Sequence, residues 1–228
     1  CMHGIKETSI TFRLILFAVH TIFLCIAYMI CFDNRFIWID EILGVDFNEG
    51  NIYRKSCLLI FGLIMYIRMN ITALYLLKRK IQFDEFFGVI TAYAIYQIGF
   101  VLLGAWNFSP FHSFDYLGIF LFISGSYINT FSEIQRRRFK KDSLNNGKLY
   151  TLGLFKFSRH INYFGDICWV TGWAIITHNI WASLIPLFLT LGFIYFFIPE
   201  LSKYLEKNYT KEYVDWSKKT KKLIPFIY

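Results

Sequence analysis

A long apolar run in one chain has few backbone options, because in hydrocarbon every N–H and C=O must be satisfied inside the segment or inside a closed barrel. Residues 12–31 form such a run: Arg13 at its edge and His20 in its interior are its basic side chains, and no acid interrupts it. It is close to the roughly 20 residues that a helix needs to cross about 30 Å of hydrocarbon. Comparable runs recur over 57–77, 87–106, 116–132, 163–177 and 181–198. The chain therefore reads as an all-α, polytopic membrane helical bundle of about six transmembrane helices. Its 56% hydrophobic and 21% aromatic content fits that class and not an ordinary soluble domain.

No Pro/Gly/Ser linker and no internal repeat divides residues 1–228, so the expectation is one integral membrane domain. The net charge of +8 could suggest nucleic acid, but the cations sit at the ends of apolar segments and form no basic soluble face. Membrane lipids with anionic headgroups and phosphate-bearing ligands are the expected partners. The cysteines lack CxxC spacing and read as buried thiols. The first apolar run is too long for a cleavable leader and has no small-residue cleavage site.

Charge placement orients the spans. Lys78, Arg79 and Lys80 follow the second span and mark a cytoplasmic end, whereas Asp33, Asp40, Glu41, Asp46 and Glu49 against Arg35 mark an outer loop. Trp38 places part of that loop along the interface, and the loop 107–114 has no Lys or Arg and is external too. Both termini are then cytoplasmic. Within the spans, His20 reads as a packed core histidine and Arg13 as a snorkelling cation. Arg68, beside Asn70, lies mid-span and requires a protein or water partner. Gln97, with Tyr93 and Tyr96, is an amide that must find hydrogen bonds. Pro199 is expected to end the sixth span. Tyr204, Leu205, Tyr209, Tyr213 and Trp216 then recur at helical spacing among lysines, as in a C-terminal interfacial helix.

Polar chemistry concentrates in 129–166. Asn129, Glu133 and Arg137 lie four residues apart, on one face of a helix. Arg136, Arg137, Arg138, Lys140, Lys141 and Lys148 suit phosphate or carboxylate oxygens, and Gly147 and Gly153 let backbone approach a ligand. By themselves the cations fit an orienting cytoplasmic loop equally well. The order of the following pieces narrows the choice: Gly153, Leu154, Phe155, then Ser158, Arg159, His160, Asn162, Tyr163, Phe164, Gly165, Asp166, and finally Ile224, Pro225, Phe226.

This order resembles the signature of the steroid 5-alpha-reductase family, and most closely its little-characterised bacterial branch. The resemblance covers roughly the second half of the chain, and 129–228 is the family-like, cofactor-binding half. Ile161 stands at the family's usual proline and Asp166 at its usual glutamate, so the loop lacks a fixed φ and the carboxylate is one methylene shorter. Typical members have one further span, to be sought at the amino end. The resemblance implies an NADPH-dependent reductase of a carbon–carbon double bond conjugated to a carbonyl, acting on a lipid-soluble, steroid-like enone. It implies that Asn129, Glu133, Arg137, Lys140, Lys148, Ser158, Arg159, His160, Asn162, Tyr163 and Asp166 hold the cofactor. Gln97 and Arg68 are the expected catalytic groups, Gln97 gripping the carbonyl. There is no G-x-G-x-x-G, so a Rossmann domain is not involved. No metal site is expected.

Two alternatives stand beside it. Arg159-His160 before Phe164-Gly165, with Glu200, Glu212, Tyr213 and Trp216 downstream, also resembles isoprenylcysteine carboxyl methyltransferase, which uses S-adenosylmethionine. The substitutions Ile161 and Asp166, and Glu200 where steroid reductases carry histidine, fit a non-catalytic subunit of a larger membrane complex. Fold alone does not choose among the three.

Overall fold

The computed structural model describes residues 10–33, 41–47, 50–77 and 81–228. Cys1, Arg35, Trp38, Asp40, Glu49 and the run Lys78–Lys80 lie outside the described residues. The architecture is all-α: α1 (Ile10–Phe32), α2 (Ile52–Leu76), α3 (Phe83–Gly104), α4 (Ser113–Lys141), α5 (Ile161–Ile176) and α6 (Ile180–Lys219). The one β-type feature among the described residues is an isolated bridge between Ser158 and Lys221. Five of these helices, all but α5, are long and apolar enough to cross a membrane. At 16 residues, α5 reaches only about 24 Å, short of a full hydrocarbon thickness without help from its flanks.

Two compact units share the chain. The first contains 1–117 and 173–182; the second contains 118–172 and 183–228. In the first, α1 packs on α2 and α3. Arg13 is buried there, and its guanidinium donates to the Leu77 carbonyl at 2.7 Å, so it anchors the end of α2 and does not snorkel. His20 is fully buried, stacked on Tyr93 at 3.9 Å and edge-on to Tyr66 at 5.1 Å, as a core histidine should be. Cys31 and Cys57 are buried, Cys168 is intermediate, and Cys25 differs from expectation by lying on the exposed side of α1.

In the second unit α4 and α5 approach through glycine. A Cβ on Gly125 would lie 2.4 Å from the Trp169 nitrogen, and one on Gly165 would lie 2.6 Å from the Asn129 nitrogen. Backbones this close exclude any larger residue, and the contact sets Asn129 against the start of α5. The α6 helix departs from its expected end. Pro199 sits at the start of the α-helical segment Ile198–Lys219, directly after a π turn at Phe193–Phe197, and does not break the helix. The wider π register removes the demand for an i→i−4 bond where proline has no N–H. The real discontinuity is Thr210, at φ 28 and ψ −98. Such backbone for a β-branched residue costs on the order of 1–3 kcal/mol and is held by its surroundings. Tyr213 and Trp216, beyond the kink, are buried in a cluster with Tyr150, Phe155 and Ile161.

Gly125→Ala is expected to destabilise the protein by about 1–3 kcal/mol, because its methyl meets backbone and not a yielding side chain. Thermal unfolding in detergent checks this; an unchanged midpoint would show that the helices separate freely.

Candidate functional site

The signature loop is built backbone-first. Gly153, at φ 59, turns the chain into a short 3-10 segment, Gly153–Lys156. A Cβ there would lie 2.4 Å from Gln135 Oε1 and 2.7 Å from the Tyr150 hydroxyl. Gly153 therefore makes room for its own chain, not for a ligand, and Gln135 Oε1 accepts from the Leu154 N–H at 3.0 Å. Ser158 is fully buried, and its hydroxyl donates to the Leu223 carbonyl at 2.7 Å. The N–H groups of Arg159 and His160 donate to the carbonyls of Lys221 and Lys222 at 2.9 and 3.2 Å. Ile161, where proline was expected, is 3% exposed and anchors the loop in the Tyr150–Phe155–Tyr213–Trp216 cluster. Packing and these strand-like bonds supply the order that a fixed φ would have given. The resemblance implies a cofactor role for Ser158, and in the structure its hydroxyl also fastens the loop to the C-terminal segment.

Asn129, Glu133 and Arg137 all lie in α4, as their spacing required. Asn129 Nδ2 donates to the Asn162 carbonyl at 3.2 Å, joining α4 to the start of α5. Glu133 pairs with Arg136, one residue short of the Arg137 that a four-residue face suggests. The Arg136 guanidinium also lies 5.8 Å from the centre of the Phe155 ring. Lys140 donates to the Lys148 carbonyl and to the Tyr209 hydroxyl, the latter at 2.9 Å. Lys148 is exposed. Asp166 accepts from Trp169 Nε1 at 2.7 Å, so its shorter carboxylate has a direct partner.

His160 is 1% exposed, with its ring stacked 5.5 Å from that of Tyr163, which in turn stacks 4.4 Å from Phe193. Burial, reinforced by the charges of Arg159, Lys222 and Arg136, lowers its pKa to about 3. Arg159 reaches the Tyr213 hydroxyl at 3.4 Å. Four buried polar atoms in this unit lack a hydrogen-bond partner: Glu133 Oε1, Arg159 Nε, His160 Nε2 and Trp216 Nε1. Native interiors leave few such atoms, and a ligand is one explanation for a group of them. The unit thus holds an acidic acceptor, cationic donors and a neutral imidazole within one family-like segment.

The two expected catalytic residues belong to the first unit. Arg68 is 8% exposed within α2. Gln97 is 1% exposed and sits in a π turn, Ile95–Gly99, inside α3. Its Nε2 donates to the Gly62 carbonyl at 3.3 Å, and its Oε1 is buried without a partner. The amide nitrogen carries a second hydrogen beyond that bond. His20 was not foreseen as a site residue, yet both of its ring nitrogens are buried without a hydrogen bond. Only the polarity of His20 in an apolar run could have signalled this. Asn70 is satisfied locally, donating to the Tyr66 carbonyl at 2.8 Å.

Comparison with known proteins places these features in context. A family model described as a protein of unknown function, DUF1295, matches residues 63–220. A probable O-methyltransferase, ustE, from Ustilaginoidea virens is 35% identical over 92 residues, 40% of this chain and 32% of that protein. The 3-oxo-5-alpha-steroid 4-dehydrogenase 2 of Rattus norvegicus is 32% identical over 111 residues, 49% of this chain and 42% of that enzyme. Its Homo sapiens counterpart is 31% identical over 115 residues, with the same 49% and 42% coverage. The chain spans less than half the length of the curated relatives it matches.

Because the folded pKa of His160 lies below its ordinary value of about 6.5, the unfolded chain takes up protons that the folded one refuses. The stability that depends on neutral His160 is complete above about pH 6.5 and is lost as pH falls toward about 3. The ring nitrogen NMR shifts of His160 should stay constant across neutral and mildly acidic pH; an inflection near the ordinary histidine pKa would refute this.

Proposed function

We propose, from the premise that this chain belongs to DUF1295, a steroid 5-alpha-reductase-like family, that it is a membrane-embedded, NADPH-dependent reductase of a conjugated C=C bond in a lipid-soluble, steroid-like enone. The observation that carries the reading is the group of buried, unpartnered polar atoms on Glu133, Arg159 and His160, inside the segment that resembles the family signature. Their chemistry fits a nucleotide. Cationic Arg159, with Arg136, Arg137 and Lys140 on α4, suits phosphate oxygens, and the Glu133 carboxylate accepts from ribose hydroxyls. Neutral His160, Asn162 and Tyr163 offer donors and acceptors for the nicotinamide end, and Asp166 braces α5 through Trp169.

NADPH supplies a hydride when bound. The protein's part is to hold the acceptor carbon in position and to polarise the conjugated carbonyl. A donor in a water-poor interior does this far better than one in water. Gln97 is the assigned donor, through the Nε2 hydrogen not engaged by Gly62. Arg68 adds positive potential along α2. His20, against Tyr93 one turn from Gln97, supplies polar ring nitrogens for a substrate oxygen. By the positive-inside rule the basic segment of α4 faces the cytoplasm, where NADPH is available.

The fungal O-methyltransferase relative favours a second reading, an S-adenosylmethionine-dependent methyltransferase. Its cofactor carries a sulfonium cation and no phosphate, so the Arg/Lys cluster argues against it. Titration calorimetry of the purified protein separates the readings. NADPH should bind at least about tenfold tighter than NADH, since a forked arginine contact to the extra phosphate contributes about 1.5–3 kcal/mol. Arg159→Ala should weaken NADPH by about tenfold or more. Tight S-adenosylmethionine binding without NADPH binding would favour the methyltransferase, and binding of neither would favour a non-catalytic subunit.

A further inference from the structure

A second polar cluster lies wholly within the first unit, apart from every residue assigned to the reductase reading. His112 ends the loop before α4, Asp115 stands in the first turn of α4, and His178 is the middle of the Thr177–Asn179 turn after α5. One ligand atom from each lies within 4.8 Å of the other two. His178 Nε2 is 2.8 Å from Asp115 Oδ1, and His112 Nδ1 is 3.7 Å from Asp115 Oδ2. The two imidazole rings are 4.4 Å apart between centres and inclined by 31°. We propose that His112, Asp115 and His178 form a binding site for one divalent transition-metal ion, with Zn2+ the best match.

The donor set and its spacing carry the assignment. Two imidazoles and a carboxylate are the ligands of a borderline-soft ion, not of Mg2+ or Ca2+, which take oxygen. Tetrahedral Zn2+ with bonds of about 2.0–2.1 Å separates its ligand atoms by about 3.3 Å. Taking one ligand atom from each residue, the three lie within 4.8 Å of one another, and the His178 Nε2–Asp115 Oδ1 separation is 2.8 Å. Small rotations of His112, whose side chain is 48% exposed, close the difference and leave a fourth position to water.

The frame around the ligands is fixed. Asp115 is fully buried; Oδ1 accepts from Arg54 at 3.0 Å, and Oδ2 accepts from the His112 N–H at 2.8 Å. His178 holds a left-handed backbone, φ 52, and the turn is tied by the Asn179 side chain to the Leu103 carbonyl at 3.0 Å. An ion between His178 Nε2 and Asp115 Oδ1 would take the place of the 2.8 Å hydrogen bond that joins them. Arg54 also opposes the ion's charge. Its guanidinium is held independently by the carbonyls of Ser109 and Ile176, so the carboxylate can share its charge with a metal while Arg54 stays in place. An ion here would clamp the loop, the start of α4 and the turn after α5.

The test uses the full chain in detergent micelles, freed of metal by chelation and titrated with Co2+. Expected is a saturable, one-to-one growth of the visible ligand-field bands of tetrahedral Co2+, abolished by Zn2+ but not by Mg2+. His112→Ala removes an exposed ligand without touching the core and should weaken Co2+ by at least about tenfold. His178→Asn tolerates the left-handed backbone and should do the same. The proposal is overturned by the absence of a saturable band, by equal displacement with Mg2+, or by His112→Ala titrating like the parent protein.

Discussion

A guanidinium sealed from water must place its hydrogen bonds inside the protein, and Arg54 is fully buried at the start of α2. It reaches the Asp115 carboxylate and the carbonyls of Ser109 and Ile176, each 55 or more residues away in the chain. The order of the first unit at this end follows from that requirement. Removing either member of such a buried charge pair strands the other, at a cost of about 3–5 kcal/mol. The loop before α4, the start of α4 and the end of α5 are therefore bound to one another through this one guanidinium.

The second unit solves a different problem. It sets polar residues beside one another where helices meet, and it does so by bringing backbone onto backbone at Gly125 and Gly165. That contact puts Asn129 against Asn162, while the strand-like bonds from Arg159 and His160 to 221–222 hold the loop in front of α5. The reductase and methyltransferase readings both draw on this loop, which is why resemblance alone leaves them adjacent. The phosphate-suited cations of α4 weigh toward the proposed reductase, because only one of the two cofactors carries phosphate.

The helices were legible in the sequence because hydrophobic run length is a direct reading of the solvent they meet. The buried His20 and the buried Arg68 followed from the same reasoning. Long-range pairings were not legible. Nothing local in Ser158 shows that its hydroxyl meets Leu223, and nothing local in Arg54 or His178 shows that both meet Asp115. The end of the sixth span was misread at Pro199 for a related reason: proline breaks an α register, but the preceding π turn had already changed that register. The pairing of Glu133 with Arg136 was not legible either, because three- and four-residue spacings lie on the same helix face.

The π turns carry a consequence for how such spans are mapped chemically. A helical wheel advances by about 100° per residue, and each π turn inserts an extra residue into that count. Across Ile95–Gly99 the stripe of α3 that faces lipid thus jumps sideways, and so does the one in α6 across Phe193–Phe197. Cysteine-scanning or lipid-photolabelling patterns from these two helices will show two out-of-phase periodicities, and a single wheel fitted through either helix will assign interior residues to the bilayer.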